Sequence, residues 1–328
     1  MIRWIQRLRA RLARTACVLV VLLAADPAVS DTATAPGLWE HPADLRDRDL
    51  FYGPWGADRA PDPSATYTFV RPKRGGVNPG VIVRDDRGRI WHVKQPPDNS
   101  QGAEGPVEVV LSRVLSAVGY YQPPVYYLPS FTLTDAKGSR VVQGGRFRLE
   151  EPSLKSQGTW AWRQNPFVGT RPYEGLLAIL LVFNSWDLKD SNNTIYERHH
   201  DGRIDRWYVV RDLGAALGES GRLAPKRNNI GRFEKQQFIT GVTGRFVDFT
   251  YHGWQPSLVH RAITVDDVRW AAGLLGGLSD RQWHDAFRAG GYPEDLSARF
   301  IRKIKANLAQ AQAVAAGVPQ PQLAEERR

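Results

Sequence analysis

The sequence predicts an α+β protein with two lobes, in which a small antiparallel β-rich lobe with one helix precedes a larger, mainly helical lobe. Two observations carry this prediction. Short β-type runs separated by tight turns fill residues 66–149 and enclose one amphipathic helix. Beyond residue 151, an eight-residue apolar run and repeated helix-capping patterns predict helices. With 328 residues, 42% of them hydrophobic, the chain can bury a large core.

The first thirty residues have the pattern of a secretory signal peptide. Five arginines precede an apolar segment at residues 16–25, which leads to the small residues Ala28 and Ser30. This segment is too short for a membrane span, which needs about 20 apolar residues, and no later segment approaches that length. We therefore expect an exported chain, periplasmic or secreted, with no stable transmembrane segment after cleavage of residues 1–30.

Charge and cysteine content exclude several classes of function. The net charge is +10, of which residues 1–30 carry +4. The remaining +6 is a weak argument for nucleic acid, and no nucleic-acid partner is expected. The only cysteine, Cys17, lies in the apolar segment, so the mature chain offers neither disulfides nor thiol chemistry. Cysteine proteases and thiolate zinc sites are therefore excluded.

The β-rich lobe is predicted over residues 65–150, after an irregular arm at residues 31–64 that is expected to lie against the body of the protein. Its five strands are predicted at residues 66–71, 80–84, 89–95, 125–134 and 139–149. Gly, Pro and Asp residues mark the turns between them. Between the third and fourth strands, Pro106 opens a helix that Gly119 ends.

The helical lobe is predicted over residues 151–315 and is followed by a loose tail at 316–328. Its first elements are predicted to be a helical stretch at residues 160–167, a buried helix at 173–183 and a β-hairpin with strands at 193–197 and 206–210. Thr264 and Ser279 begin two capping-box patterns, and an amphipathic helix closes the lobe.

The most informative stretch comes directly after the predicted buried helix. It contains Asp187, Lys189 and Asn192, and a further acid, Asp212, follows the later apolar run. Carboxylate and amide oxygens on adjacent loops can hold a Mg2+ ion that also binds phosphate. One of the acids could instead act as a base. Because Asp and Asn are also common turn formers, spacing alone leaves both interpretations open.

Two short motifs in this region resemble those of a known superfamily. Asp187-Leu188-Lys189-x-x-Asn192 resembles the catalytic loop of the protein-kinase-like superfamily, and Asp212-Leu213-Gly214 resembles its metal-binding segment. The resemblance covers residues 66–214 by motifs and element order, and it extends to about residue 310 by helical pattern. It implies a bilobal kinase-like fold, near the branches that include lipid, small-molecule and secreted kinases and uncharacterised exported bacterial proteins.

The resemblance implies how the β-rich lobe would hold a nucleotide. Lys94 would contact the phosphates and be oriented by Glu108 on the following helix. Backbone amides near Gly75 and Gly76 would cover the phosphates. Glu104 is a rival partner for Lys94, but it precedes the proline that opens the helix, so we expect it to lie off the helix.

The resemblance also implies roles for the polar loops of the helical lobe. Asn192 and Asp212 would ligate Mg2+. Asp187 would position or deprotonate the acceptor, and Lys189 would neutralise charge on the transferred phosphoryl group. The implied ligands are therefore Mg2+ and ATP.

Several positions depart from the superfamily pattern. Ser185-Trp186 replaces the usual His-Arg before the catalytic aspartate, and Leu213 stands where Phe is usual. The glycine spacing also differs, and Leu223-Ala224-Pro225 is the nearest match to Ala-Pro-Glu. A standard peptide-docking segment is therefore not expected.

The expected function is Mg2+-dependent phosphoryl or nucleotidyl transfer from a nucleotide to an unknown protein, lipid or glycan acceptor. The alternative is a non-catalytic exported binding protein of the cell envelope, because an exported compartment has no obvious supply of ATP. A third interpretation is a glycan-acting hydrolase that uses Asp187 and Asp212 as paired carboxylates.

Other residues have a simpler structural interpretation. His199 and His200 could bind a metal, but they lie in a polar turn without zinc-site spacing, so a solvated turn is favoured. Four tryptophans beside Pro and Gly could stack on sugars, but residues of this kind more often anchor a core; they are Trp39, Trp55, Trp160 and Trp162.

Overall fold

The computed structural model describes residues 32–73, 78–96, 103–220 and 226–317. The predicted signal peptide, Gly75, Gly76 and Leu223-Ala224-Pro225 lie outside the described residues. The predicted fold class is confirmed, because a β-rich N-terminal part is followed by a mainly helical C-terminal part. In the described ranges, the helices are all too short or too polar to cross a membrane.

The elements follow one another in nearly the predicted order. The N-terminal part contains β1 (Thr32–Ala33), β2 (Thr66–Pro72), β3 (Gly80–Arg84), β4 (Ile90–Lys94), α1 (Glu104–Ala117), β5 (Val125–Asp135) and β6 (Gly138–Leu149). The C-terminal part contains β7 (Leu154–Gly158), α2 (Arg171–Val182), β8 (Asn193–His200), β9 (Arg203–Val210), α3 (Ile230–Lys235), β10 (Ile239–Thr243), β11 (Phe246–Phe249), α4 (Val265–Gly276), α5 (Asp280–Ala289) and α6 (Glu294–Ala315).

Five strands of the N-terminal part form a closed barrel in the order β2-β3-β4-β6-β5. Four of the pairings are antiparallel, as predicted, but the barrel closes through a parallel pairing in which Thr66–Thr68 of β2 lie beside Thr132–Thr134 of β5. Alternate side chains fill the interior with aromatic rings, including Tyr67, Trp91, Phe131 and Phe147. The intervening side chains of β4 and β6 point away from this core.

Helix α1 joins the barrel to the C-terminal part. Val107, Val110, Leu111 and Val114 are fully buried in the large core that also contains α2. The helix begins at Glu104 rather than at Pro106. A proline is tolerated in the first turn because the amide hydrogens there have no partner within the helix.

The predicted β-hairpin is present and belongs to a second sheet with the order β1-β9-β8-β7. The turn between β8 and β9 is tighter than predicted, since His200 pairs directly with Arg203. The prediction of a helical stretch at residues 160–167 is wrong. The chain is irregular there because the Asn165 side chain bonds the carbonyls of Ala161 and Trp162 in a local turn.

The C-terminal part is built around α2, which is buried along almost its whole length as its apolar run predicts. Helices α4 and α6 pack on or near it. Both predicted capping boxes are present, Thr264 with Asp267 at the start of α4 and Ser279 with Gln282 at the start of α5. Phe300, Ile304 and Leu308 place the apolar face of α6 in the same core.

The arm at residues 34–64 crosses both parts of the molecule. Leu38 and Leu50 are buried in the main core. The Trp39 indole nitrogen donates to the Val118 carbonyl at the end of α1 (2.7 Å), and the Gln282 amide of α5 donates to the Leu45 carbonyl (2.8 Å). The arm therefore holds α1 and the helical part together.

Candidate functional site

Lys94 ends strand β4, and its side chain lies on the outer face of the barrel, beneath α1. Its Nζ donates to Glu108 Oε2 (3.0 Å), to Asp212 Oδ1 (3.0 Å) and to Glu104 Oε2 (3.2 Å). The lysine is only 6% exposed. One cation thus connects the barrel, helix α1 and the loop after β9.

Glu108 lies inside this site, one turn into α1, with its carboxylate held on both sides. One oxygen accepts from Lys94, and the other lies 3.1 Å from the Nε of Arg146, which faces Lys94 across the β4–β6 pairing. Burial alone would raise the pKa of Glu108, but Arg146 and Lys94 together keep it below its ordinary value. Glu108 is therefore ionised and fixes the position of Lys94.

The structure corrects the expectation for Glu104. This residue is the first of α1, and its carboxylate contacts Lys94, Asn78 and Arg227. The start of α1 can lie this close to the segment after β9 because residue 214 is a glycine. A Cβ at Gly214 would lie 2.5 Å from the Glu104 Cβ. Glu104 therefore shares Lys94 with Glu108 instead of lying off the helix.

The polar loop after α2 is fixed by hydrogen bonds within itself. The Asn192 Nδ2 donates to the Asp187 carbonyl (2.7 Å) and to Asp187 Oδ2 (3.1 Å), and Lys189 Nζ lies 2.7 Å from Asp187 Oδ1. Because the Asn192 amide nitrogen faces Asp187, its amide oxygen is directed elsewhere and remains a possible cation ligand. The predicted residues Asp187, Lys189 and Asn192 are therefore brought together.

A second segment supports this loop from outside. The Trp254 amide donates to the Trp186 carbonyl (2.9 Å), and the Gln255 side chain bonds the Leu188 carbonyl and Asp190 (3.0 Å each). The Trp254 ring is 56% exposed and lies 4.7 Å from Lys189 Nζ. Sequence analysis did not single out Trp254, because it is distant in sequence from the loop.

Asp212 follows β9 and adopts a left-handed backbone conformation, with φ of 51°. Burial would raise its pKa, but the charge and hydrogen bond of Lys94, with Arg146 and Arg211 nearby, hold the pKa well below its usual range. The Arg211 amide donates to the Asn192 carbonyl (2.8 Å), which ties the Asp212 segment to the polar loop. Asp212 is thus an ionised carboxylate beside the loop.

These residues suit a Mg2+ ion that is shared with phosphate groups. Among the described residues, no three His, Cys, Asp or Glu side chains cluster closely enough to hold a metal ion alone. Mg2+ commonly takes only one or two carboxylates and completes its shell with phosphate oxygens and water. The Asp212 carboxylate, 43% exposed, and the Asn192 amide oxygen form such a partial set. The donor set therefore fits the predicted ion.

The flanks of the predicted phosphate-covering turn approach the same site. Lys73 and Gly80 are joined by a backbone hydrogen bond of 3.1 Å. Burial, together with Lys94 and Arg146 nearby, lowers the pKa of Lys73. Gly80 leaves room for the Lys73 side chain, because a Cβ at residue 80 would lie 2.9 Å from it. Lys73 is therefore a further cation of the site that sequence analysis missed, as it missed Arg146 and Arg227.

The prediction of a solvated turn at His199 and His200 is wrong, because both residues end strand β8 and are half-buried. His200 lies 2.6 Å from Asp205, and His199 also has a partner. The simpler interpretation holds for the four tryptophans. Trp160 and Trp162 are buried in the main core, and the indole nitrogens of Trp39 and Trp55 bond backbone carbonyls. These tryptophans are anchors of the fold.

Comparisons with known proteins give structural similarity alone. No family model and no curated protein matches the sequence. A solved structure of the Helicobacter pylori proinflammatory kinase CtkA is similar to 79% of this chain and 99% of that one, with a TM-score of 0.45 and 9% identity.

Two further solved kinases are similar at lower scores. For the Golgi casein kinase, the TM-score is 0.33 at 10% identity, over 82% of this chain and 77% of that one. For the Rio2 kinase from Chaetomium thermophilum, whose structure is an ADP/Mg2+-phosphoaspartate complex, the TM-score is 0.30 at 12% identity, over 75% and 72%.

Proposed function

We propose that this protein is a kinase-like phosphotransferase that moves a phosphoryl group from a Mg2+-bound donor to a hydroxyl acceptor. The proposal rests on the position of Lys94, which is buried between Glu108 and Asp212. Its side chain joins strand β4, helix α1 and the segment after β9. A buried lysine that is held by two acids of α1 and lies next to a half-buried third acid suits a phosphate chain with a bound cation. The neighbouring Asp187 supplies a carboxylate for the acceptor.

Each residue then has a distinct task. Lys94, oriented by Glu108, binds phosphate oxygens of the donor. Asp212 and Asn192 would hold Mg2+, which neutralises charge on those phosphates. Asp187 accepts the proton of the attacking hydroxyl, and Lys189, 2.7 Å from Asp187, offsets the charge of the moving phosphoryl group. The bond from acceptor oxygen to phosphorus forms as the bond to the donor breaks.

Thermal unfolding of the purified protein with Mg2+ and ATP tests this proposal. A ligand present at about a hundred times its dissociation constant stabilises a fold by about 2.7 kcal/mol. For a chain of this size, that corresponds to a rise in melting temperature of roughly 4 °C. The rise is expected to need Mg2+ and to disappear in Asp212→Asn.

Asp201→Asn is the matched control. Asp201 also has a left-handed backbone, with φ of 47°, but it lies exposed in the β8–β9 turn. The same substitution there is expected to leave the Mg2+-dependent rise unchanged, since Asn tolerates this conformation as well as Asp does. An Asp212→Asn protein that responds like the wild type would contradict the proposal, and so would no response of the wild type to any Mg2+-bound phosphate donor.

The hydrolase interpretation is less well supported. A glycosidase acid must keep its proton near neutral pH, so its pKa must be raised. Lys94 holds the pKa of Asp212 low, so Asp212 is unsuited to donate a proton. The geometry favours a role for Asp212 as a charged ligand.

We also propose that the phosphotransferase acts after export. The support is the pattern of residues 1–30, in which arginines precede an apolar segment and small residues. Fractionation of cells that produce the full chain tests this. A mature protein that starts near residue 31 in the exported fraction is expected, and an uncleaved chain in the cytoplasm would contradict it.

A further inference from the structure

A cavity of about 530 Å3 lies next to the candidate site, between the barrel and the β8–β9 hairpin. Its charged and aromatic lining comes from both parts of the molecule and includes Arg71, His92, Arg148, Lys155, Tyr196 and Arg211. Arg211 directly precedes Asp212, and His92 is two residues before Lys94 on the same strand. The cavity therefore borders the candidate site, through residues next to Asp212 and Lys94.

The register of the barrel explains why these cations meet. Lys94 pairs with Arg146 across β4 and β6, and two residues earlier His92 pairs with Arg148. Ile82 of β3 pairs with His92 of β4 on one side and with Arg71 of β2 on the other. Arg71, Ile82, His92 and Arg148 therefore form one row across the four strands. Two residues along a strand are roughly 7 Å, so the row of Arg148 runs parallel to the row of Lys94 at about that spacing. A phosphate chain has the reach to contact both rows.

More cations than acids line this cavity in the described part of the chain, where four arginine or lysine side chains are accompanied by two glutamates. Glu150 lies 3.0 Å from His92, and the buried Glu151 lies 3.2 Å from Arg59, which is not part of the lining. Within the described part of the chain, no carboxylate lies in ion-pair distance of Arg71, Arg148, Lys155 or Arg211. The Arg211 guanidinium donates to the Tyr196 hydroxyl (3.2 Å), and its buried Nε has no hydrogen-bond partner among the described residues.

Arg71 and Lys155 are exposed to solvent, so the cost of burying unbalanced charge falls on Arg148 and Arg211 unless an anion enters. Burial, with the charges of Arg146 and Arg211 close by, lowers the pKa of Arg148 to about 10. A neutral aromatic base could stack on the guanidinium groups but would leave their charges unbalanced. Phosphate oxygens would balance them and accept their hydrogen bonds in pairs.

We infer that this cavity binds the far end of the phosphoryl donor and that this end is a chain of phosphates, so that an inorganic polyphosphate serves as donor. The inference rests on the proposed phosphotransferase function. The acceptor hydroxyl oxygen forms a bond to the terminal phosphorus, and the bond from that phosphorus to the bridging oxygen breaks. The hydroxyl proton passes to Asp187, and the chain, shorter by one phosphate, keeps the electron pair on its new terminal oxygen.

Titration calorimetry of the full protein with tripolyphosphate, ATP and adenosine, each with Mg2+, tests the inference. Tripolyphosphate is expected to bind at least as tightly as ATP, and adenosine is expected not to bind. Arg148→Gln should weaken tripolyphosphate roughly tenfold to a hundredfold, as the loss of a charged hydrogen-bond partner does. Arg84→Gln, an exposed position of the same barrel outside the cavity, should leave the affinity unchanged.

Asp212→Asn separates this inference from the proposed function. Tripolyphosphate binding that depends on Asp212 but not on Arg148 would overturn the inference and support the phosphotransferase. Binding that depends on Arg148 but not on Asp212 would support an anion cavity and overturn the phosphotransferase. ATP binding that adenosine blocks and tripolyphosphate does not would overturn the inference, because the cavity would then hold the base.

Discussion

Replacing Lys94 by methionine removes the cation whose Nζ lies within 3.2 Å of three carboxylates. Lys94 and the Glu108 side chain are both about nine-tenths buried or more, with exposures of 6% and 5%. Breaking a buried ion pair by removing one partner costs about 3–5 kcal/mol. Arg146 still holds Glu108, and the half-buried Asp212 can be hydrated in part, so we expect a loss at the lower end, about 3 kcal/mol at pH 7.

Thermal unfolding followed from pH 7 to pH 3 measures this effect. A loss of that size corresponds to a fall of roughly 5 °C in melting temperature. Lys94 lowers the pKa of Glu108 and Asp212, so its stabilisation is present above the unfolded pKa of these acids, about 4, and is lost as the pH falls through their lower folded values. The gap between the two proteins should therefore narrow below about pH 4.

Lys137→Met is the control, because Lys137 is exposed in the β5–β6 turn. Surface substitutions of this kind usually change stability by less than about 0.5 kcal/mol. If Lys94→Met had the same melting temperature as the wild type at pH 7, Lys94 would not stabilise the fold by holding these acids. A difference in melting temperature that stays constant down to pH 3 would contradict the same role.

Three further results are expected. Asp187→Asn should slow Mg2+-dependent phosphate release from the donor by about a hundredfold or more with little change in melting temperature, and an unchanged rate would exclude Asp187 as the base. Arg146→Met leaves Glu108 with one fewer cation and should cost about 3 kcal/mol in urea unfolding, whereas an unchanged urea midpoint would show that the pair contributes nothing. Thr264→Ala removes the cap of α4 and should cost about 1 kcal/mol by the same assay; no loss would contradict the capping box.

The local elements of this fold could be predicted because each depends on residues close in sequence. The strands before α1, the buried helix α2 and the two capping boxes all follow from periodicity and turn chemistry. The closure of the barrel could not be predicted, since it depends on a parallel pairing between Thr66 and Thr132 that no local pattern indicates. The irregular segment at residues 160–167 was missed because its hydrogen bonds are made by the side chain of Asn165.

The site was predictable only in part, because some of its contacts join residues that no local sequence pattern connects. Asp187, Asn192 and Asp212 belong to short motifs, and the structure brings them to neighbouring loops. Arg146 faces Lys94 because of strand register, which the sequence alone does not specify. Glu104 was expected to lie off the helix because Pro106 was taken as the first helical residue, whereas α1 begins at Glu104. The first and last residues of a helix are hard to assign, even from a structure.

The arm before the barrel affects how this protein can be divided for experiments. The strands of the barrel begin at Thr66, so a truncated chain without the arm would start there. Such a chain would lack Leu38 and Leu50, two side chains of the main core, and the Trp39 hydrogen bond to the end of α1. Exposed core surface promotes aggregation. The smallest stable unit therefore starts before Leu38, and a fragment that starts at Thr66 is expected to be insoluble.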